Sequence, residues 1–138
     1  MKIHADGRCL CGAVTLSGEV ENKVGVCHCS MCRQWVGGPF LAVDGGTDLT
    51  ISGKQFVERF DSSDWGERAF CKKCGSALFY RLKQNNQHIV SAGLFGDLEG
   101  LILDHQIFID EKPHYYSFAN QTHNMTGAEV FAQFATQD

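Results

Sequence analysis

Short runs of alternating apolar and polar residues, each followed by turn residues, recur along most of the chain. Residues Ala13–Val20 alternate small or apolar side chains with polar ones, as in a strand with one buried face. The apolar run Phe40–Val43 is followed by Asp44–Gly46, which predicts a strand that ends in a turn. Further runs of this kind are Leu49–Gly53, Phe56–Phe60, Ala77–Arg81, Ile89–Leu94 and His105–Ile109. The pattern predicts a mostly β fold built from antiparallel sheets, with short helical turns.

Helical patterns are sparse. Residues Ser30–Trp35 predict one helical turn with Ser30 as its N-cap, and Phe95–Leu101 predict a second, irregular turn. The C-terminal stretch is the best helical candidate, because Thr126 precedes it as a cap. Its apolar residues would share one face: Val130, Phe131 and Phe134. That face would close the core, or alternatively bind a partner.

Length and charge narrow the range of functions. A chain of 138 residues is long enough to bury its own core, so we expect one domain over residues 1–138. The net charge of −4 gives no support to nucleic-acid binding. The chain contains no apolar run long enough to span a membrane. The N-terminus, Met1–Gly7, lacks the apolar region of a signal peptide, so we expect a cytoplasmic protein.

The seven cysteines are an odd number and fall into three groups, which disfavours a disulfide framework. The first and last groups each offer two thiols followed by glycine, and a glycine accepts the positive φ of a metal-binding knuckle. Together they predict a structural zinc site, whose ligands would be Cys9, Cys11, Cys71 and Cys74. A single iron fits the same ligands. Free buried thiols or a redox pair are the alternatives without a metal.

The middle group, Cys27, Cys29 and Cys32, supplies three ligands within six residues. In an extended segment Cys27 and Cys29 lie on the same side, and His28 points to the other. Because no eighth cysteine exists, three protein ligands would leave one coordination position for water or substrate, as in a catalytic zinc. The alternatives are a site closed by a distant His or Asp, or reactive thiols without metal. Such a zinc would stabilise a bound thiolate, so a small-molecule thiol is the expected ligand.

The three cysteine motifs resemble the glutathione-dependent formaldehyde-activating enzyme family, which includes the centromere protein V domain. The resemblance runs from about Gly7 to Phe118. It is carried by the segments Gly7–Val14, Cys27–Arg33, Phe70–Ser76, Trp35–Phe40 and His105–Pro113. It implies an Mss4-like, zinc-containing antiparallel β-sheet fold. It also implies two zinc ions per chain, a structural one at the outer cysteine pairs and a catalytic one at the middle triplet.

The family's named activity is the condensation of formaldehyde with glutathione to S-hydroxymethylglutathione, which is classed as a carbon–sulfur lyase reaction. The chain departs from the family pattern at His114–Tyr116, where a Trp commonly follows the Pro. By this resemblance we expect a lyase that adds glutathione, or another small thiol, to formaldehyde or another small aldehyde. The thiol would be activated at the Cys27, Cys29 and Cys32 zinc.

Three neighbouring residues are candidates for the pocket beside this zinc. Arg33 would bind a glutathione carboxylate through its planar guanidinium, and Trp35 would form a wall of the pocket. His28 would supply a proton, or would instead be a packing and hydrogen-bonding residue. A non-catalytic zinc scaffold that binds a protein partner is the alternative function, because related folds serve that role. A metal or thiol-stress buffer is a third possibility.

Overall fold

The structure is a computed structural model that describes residues 1–135. Within that range the strands are β1 (Lys2–Arg8), β2 (Thr15–Glu21), β3 (Lys23–Cys27), β4 (Phe40–Gly46), β5 (Thr50–Ser52), β6 (Val57–Phe60), β7 (Gly66–Cys71), β8 (Ala77–Leu82), β9 (His88–Ser91), β10 (Ile102–Ile107) and β11 (His123–Met125). The helices are α1 (Ser30–Val36) and α2 (Gly127–Ala135), with 3₁₀ turns at Lys54–Phe56, Ala92–Phe95 and Ile109–Glu111. The mostly β fold class is confirmed. Neither α-helix in the described range is long and apolar enough to span a membrane.

The strands form two sheets. The small sheet has the order β1-β2-β5 and is antiparallel. The large sheet has the order β11-β10-β3-β4-β9-β8-β7-β6. It is antiparallel, as predicted, except that β10 runs parallel to both β3 and β11, which makes the large sheet mixed. The reason is the connection through the Ala92–Phe95 turn, which brings the chain back to pair with β3 in the same direction.

The main core lies between the two sheets. Strand β2 turns Leu16 and Val20 inward, and both are fully buried. They pack with Val43 of β4 and Phe79 of β8, which come from one face of the large sheet. Each such side chain contributes about 1.5–3 kcal/mol on burial. This layer fixes the small sheet over the large one and so positions the loop that follows β1.

The opposite face of the large sheet carries a second, smaller cluster. Cys32, Phe40 and Ala42 form its buried centre. Strand pairing places Arg68, Tyr80 and Ile89 side by side across β7, β8 and β9. Tyr80 and Ile89 pack against the second cluster, so Arg68 belongs to the face that carries Cys32. The middle cysteine group is therefore on the side of the sheet away from the main core.

Helix α1 begins one residue earlier than a Ser30 cap would require. The N-cap is Cys29, which is extended and whose Sγ accepts a hydrogen bond from the amide of Cys32, so the prediction of Ser30 as cap is wrong. Ser30 is instead the first helical residue, and its amide donates to Glu111 Oε1 at 3.1 Å. A sulfur thus occupies the position usually held by a hydroxyl or carboxylate oxygen.

Helix α2 confirms the predicted cap. The amide of Glu129 donates to Thr126 Oγ1, and Glu129 Oε1 accepts from the amide of Thr126, which is a capping box. The predicted shared buried face is wrong for two of its three residues. Val130 is 5% exposed, whereas Phe131 is 51% and Phe134 is 37% exposed. Phe131 meets the rings of Phe108 and Trp65 in edge contacts, which leave about half of its surface exposed.

The predicted strands are present with shifted ends. Strand β4 continues through the expected turn at Asp44–Gly46, and the pairing of β4 with β9 changes register there. A β-bulge therefore replaces the turn, with Gly46 at a φ of 65°. The run Ile89–Leu94 is shorter as a strand, because the 3₁₀ turn begins at Ala92. Strands not predicted from the pattern are β1, β3, β7 and β11.

Candidate metal centres

The outer cysteine pairs lie together although 60 residues separate Cys11 from Cys71. Their four Sγ atoms are all within 4.8 Å of one another. Cys9 and Cys11 follow strand β1, whereas Cys71 ends β7 and Cys74 lies in the turn before β8. Cys9 and Cys71 are buried and Cys11 is exposed, so the cluster sits at the edge of the main core.

Each pair forms a tight turn that ends in a glycine. Gly12 has a φ of 80° and Gly75 a φ of 78°, which confirms the predicted left-handed backbone after the second cysteine. The amide of Gly12 donates to the carbonyl of Cys9 at 3.1 Å, and that of Gly75 to Cys71 at 2.7 Å. The amide of Val14 also donates to Cys9 Sγ at 3.4 Å. Amides directed at sulfur favour the thiolate form that a metal requires.

Ser76 connects the two turns, and the sequence analysis missed it. Its Oγ accepts a hydrogen bond from the amide of Leu10 at 3.1 Å. The same hydroxyl lies 3.2 Å from Cys74 Sγ and donates to that sulfur when it is a thiolate. Hydrogen bonds to Cys74, of which that from the Ser76 hydroxyl is the largest contribution, lower its pKa to about 5. The serine after a Cys-x-x-Cys-Gly motif is the signal that could have identified it.

The middle cysteines also converge. The Sγ atoms of Cys27, Cys29 and Cys32 are all within 4.8 Å of one another. Cys27 ends strand β3, Cys29 caps helix α1, and Cys32 lies in its first turn. The amide of Cys32 donates to Cys29 Sγ at 3.3 Å. Among residues 1–135 no further His, Cys, Asp or Glu atom joins this group.

The three thiols of the triplet differ in acidity. Hydrogen bonds from the thiols of Cys27 and Cys32 lower the pKa of Cys29. The same interaction with Cys29 raises the pKa of Cys27. One thiolate in the cluster therefore suppresses the ionisation of its neighbours, because like charges in a partly buried site repel. A cation among the three sulfurs would remove this repulsion.

His28 points away from the triplet and is fully buried. The Nε2 of Gln106 donates to Thr122 at 2.8 Å, so its Oε1 accepts from His28 Nε2 at 2.7 Å. A neutral imidazole protonated at Nε2 accepts at Nδ1, where the Tyr116 hydroxyl donates at 2.8 Å. Burial lowers the pKa of His28, consistent with this neutral form. His28 is therefore a packing and hydrogen-bonding residue that fixes the Cys27–Cys29 segment.

The two predicted pocket residues occupy different places. Arg33 Nε donates to the carbonyl of His28 at 2.9 Å. This hydrogen bond holds the Nε end of the guanidinium against the Cys27–Cys29 segment. The ring of Trp35 packs on Phe40 with centroids 5.2 Å apart. Trp35 also lines a cleft of about 420 Å³. Arg33 does not line that cleft in the part of the chain that the structure describes.

Arg68 is a second site residue that the sequence analysis missed. It is 5% exposed, and its Nη1 donates to Cys32 Sγ at 3.4 Å. The interaction joins residues 36 apart in the chain. A buried cation beside three thiols lies where negative charge would accumulate. The signal for it in the sequence is an arginine two positions before the Phe70-Cys71 dipeptide.

Both cysteine groups fit a bound metal ion. The first group offers four sulfurs that are close enough together to bind the same ion. The Sγ atoms of Cys9 and Cys11, for example, are 3.6 Å apart. The second offers three sulfurs with an adjoining cleft. Soft thiolates in a compact cluster select zinc or iron over magnesium or calcium. Each of the two donor sets is therefore suited to hold a metal ion.

Comparisons with known proteins agree with this arrangement. A protein of Schizosaccharomyces pombe named as an uncharacterized lyase is 38% identical over 127 residues, which cover 91% of this chain and 93% of that protein. A Halomonas elongata protein named as a glutathione-dependent formaldehyde-activating enzyme is 32% identical over 84 residues, which cover 54% of this chain and 54% of that protein. A Rhodobacter sphaeroides protein of known crystal structure shares the fold, with a TM-score of 0.58 and 24% identity over 67% of this chain and 89% of that one.

The family itself is established by a match that spans most of the chain. Residues 4–111 match the sequence profile of the glutathione-dependent formaldehyde-activating enzyme family. This range contains all seven cysteines, together with Ser76 and Arg68. The chain belongs to the glutathione-dependent formaldehyde-activating enzyme family.

Proposed function

We propose that this protein is a zinc-dependent carbon–sulfur lyase that joins a small thiol to a small aldehyde. The observation that carries the proposal is the triplet Cys27, Cys29 and Cys32, which gathers three sulfurs without a fourth protein ligand in residues 1–135. Three protein ligands leave a tetrahedral ion one position for a substrate. The lyase name of the yeast relative and the family name of the bacterial one support this reaction class.

The two cysteine groups would have separate roles. Cys9, Cys11, Cys71 and Cys74 complete a tetrahedral set, so they would hold a structural zinc that ties β1 to the β7–β8 turn. Cys27, Cys29 and Cys32 would hold the catalytic zinc. When bound there, the ion would hold a substrate's sulfur as a thiolate near neutral pH. The protein orients this site through Cys29 at the cap of α1 and His28 in its hydrogen-bond network.

Glutathione is the proposed thiol. The Nε of Arg33 is bonded to the His28 carbonyl, which leaves the two terminal nitrogens of its guanidinium for a ligand carboxylate. Glutathione carries two carboxylates, and Arg33 directly follows Cys32, so a carboxylate of the same thiol would reach it. Trp35 would form a wall of the adjoining cleft. The names of the family and of the bacterial relative favour the same thiol.

The proton for the new hydroxyl would come from water. His28 is fully buried, and both of its ring nitrogens are occupied by Gln106 and Tyr116. It is therefore not placed to transfer a proton to a substrate. None of the seven cysteines forms a disulfide in the described residues, and metal-ligating cysteines are typical of a reducing compartment, so we place the protein in the cytoplasm.

The test is exchange spectroscopy on a solution of ¹³C-formaldehyde and glutathione at equilibrium with S-hydroxymethylglutathione. Zinc-loaded protein should accelerate the exchange between free and adduct carbon above the spontaneous rate. Cys29→Ser protein, checked by circular dichroism for its fold, should not. If the wild-type rate equals the spontaneous rate with every small aldehyde tried, the lyase proposal fails. The non-catalytic scaffold would then be the better interpretation.

A further inference from the structure

The guanidinium of Arg68 is a buried cation without a carboxylate partner in the described residues. Its carbon Cζ lies 5.1 Å from the ring centroid of Trp35 and 5.0 Å from that of Tyr80. These two rings hold the guanidinium by cation–π contact. The thiol of Cys32, which accepts from Nη1, is its only hydrogen-bond partner in the range described. Arg68 is thus fixed in place without a carboxylate to pair with in the described residues.

The three guanidinium nitrogens of Arg68 are not equivalent. Nη1 donates to Cys32 Sγ, and Nε is sealed from solvent without an acceptor. Nη2 has no hydrogen-bond partner in the described residues and is not sealed from solvent. One nitrogen therefore faces the triplet, and another remains for a ligand. Because no described residue accepts from Nη2, an acceptor atom of a ligand would complete the hydrogen bonding at this end of the guanidinium.

A cleft adjoins this guanidinium. It has a volume of about 420 Å³, and its lining residues are Trp35, Phe60, Arg68, Phe70, Gly75 and Ala77. Of these only Arg68 is charged. The cleft therefore extends from Arg68, which donates to Cys32, to Gly75, which directly follows Cys74 of the four-cysteine cluster. The volume of the cleft lies in the range of pockets that bind ring-sized ligands. It far exceeds the volume of formaldehyde, a molecule comparable in size to water, which occupies about 30 Å³.

We propose that Arg68 binds the carbonyl oxygen of the aldehyde and that the cleft holds an apolar, ring-sized substituent on its carbonyl carbon. The inference rests on the proposed function, which it deepens by naming the substrate class: arylalkyl or other bulky apolar aldehydes, in preference to formaldehyde. The oxygen would lie at the charged end of the cleft, next to Cys32. The substituent would lie between Trp35, Phe60 and Phe70.

The step balances without a redox partner. The thiol gives its proton to solvent, and the thiolate sulfur attacks the carbonyl carbon, which forms the carbon–sulfur bond. The π pair of the carbonyl moves to oxygen, and Arg68 stabilises the negative charge that develops there. Water then protonates that oxygen. The product is the hemithioacetal, and the reverse sequence cleaves it.

Aldehyde preference is the first test. With glutathione and zinc-loaded protein, kcat/KM for phenylacetaldehyde should exceed that for formaldehyde by about tenfold or more, since a well-buried ring contributes at least that much to binding. Phe60→Ala should lower kcat/KM for phenylacetaldehyde several-fold more than kcat/KM for formaldehyde, and so remove most of the preference. Phe131→Ala is the matched control, because Phe131 is also an exposed phenylalanine but lies outside the cleft. Equal rates for the two aldehydes, or no effect of Phe60→Ala, would overturn the inference.

Binding of an unreactive probe is the second test and needs no turnover. In a Trp65→Phe background Trp35 is the remaining tryptophan, so its fluorescence reports on the cleft. Phenylacetate should quench it saturably in the zinc-loaded protein, and acetate should not. Arg68→Gln should weaken phenylacetate binding about tenfold or more, and Arg68→Lys should retain part of it. Equal phenylacetate affinity in folded Arg68→Gln and wild-type protein would refute the role of Arg68.

The two proposals fail in different ways. If glutathione binds and formaldehyde exchange is accelerated but phenylacetaldehyde is not used, the lyase function stands and the substrate class is wrong. If glutathione does not bind and no aldehyde reacts, the proposed function falls, and the phenylacetate titration still decides whether the cleft and Arg68 hold an aromatic anion.

Discussion

His28 Nε2 and Gln106 Oε1 lie 2.7 Å apart and join the segment between two triplet cysteines to strand β10. Both residues are buried, and β10 pairs in parallel with β3, the strand that ends at Cys27. The geometry of the triplet is therefore supported by a hydrogen bond from His28 to a residue 78 positions further along the chain. Such indirect support fixes ligand orientation in metal sites.

Replacing Gln106 should destabilise the protein through this hydrogen bond. Gln106→Leu leaves the buried N–H of His28 without an acceptor, so the free energy of unfolding should fall by about 1–3 kcal/mol. Urea denaturation of the zinc-loaded protein measures it. Gln121→Leu is the control, because Gln121 is exposed and should change stability by less than about 0.5 kcal/mol. Equal effects of the two changes would contradict the assigned network.

The two cysteine groups should respond differently to substitution. Cys74→Ser should unfold the protein, because a structural zinc contributes on the order of 10 kcal/mol of folding free energy. Cys29→Ser should leave a folded protein that holds one zinc fewer and has no activity. Circular dichroism and metal analysis on the same samples measure both outcomes. Equal unfolding by the two substitutions would contradict separate structural and catalytic roles.

Arg33 should matter for glutathione and not for a thiol without carboxylates. Arg33→Gln removes the charge but keeps a donor for the His28 carbonyl, so the loop should remain in place. We expect glutathione affinity to fall about tenfold, which corresponds to one lost charged hydrogen bond of about 1.4 kcal/mol. The affinity for 2-mercaptoethanol should not change. A parallel loss for both thiols would show that Arg33 acts on the triplet and not on a carboxylate.

The pH dependence of stability should include a contribution from His88. Burial lowers the pKa of His88 below its ordinary value of 6.5. The folded state then resists protonation, so this contribution is complete above pH 6.5 and is lost as the pH falls through the folded-state pKa. The loss is at most about 1.4 kcal/mol per pH unit.

The measurement is the free energy of unfolding of wild-type and His88→Gln protein at several pH values between 7.5 and about 5. Metal loss in acid affects both proteins, so the difference between them isolates His88. That difference should shrink or reverse as the pH falls. A constant difference would show that His88 is not buried in its neutral form.

The sequence pattern could predict the cysteine clusters because their chemistry is local. Three residues, Cys27, Cys29 and Cys32, fall within six positions, and the glycines that follow the outer pairs mark the knuckle turns. Strands with clear alternation, such as β2 and β8, could be predicted for the same reason. Their side-chain pattern is independent of what they pair with.

The remaining features depend on strand pairing and could not be predicted. Strand β1 was missed because its inward residues include the small Ala5 and Gly7, which give a weak apolar signal. Strand β7 was missed because Arg68 is buried on one of its faces. Arg68 meets Cys32, and Ser76 meets Leu10, only because the sheets bring distant segments together. Composition and periodicity contain no information about such partners.

Calorimetric titration of glutathione into fully zinc-loaded protein tests the central claim most directly, namely that Cys27, Cys29 and Cys32 form an open thiol-binding metal centre. We predict saturable binding at a single site per chain, absent from folded Cys29→Ser protein. No glutathione binding by wild-type protein, or undiminished binding by Cys29→Ser, would contradict it.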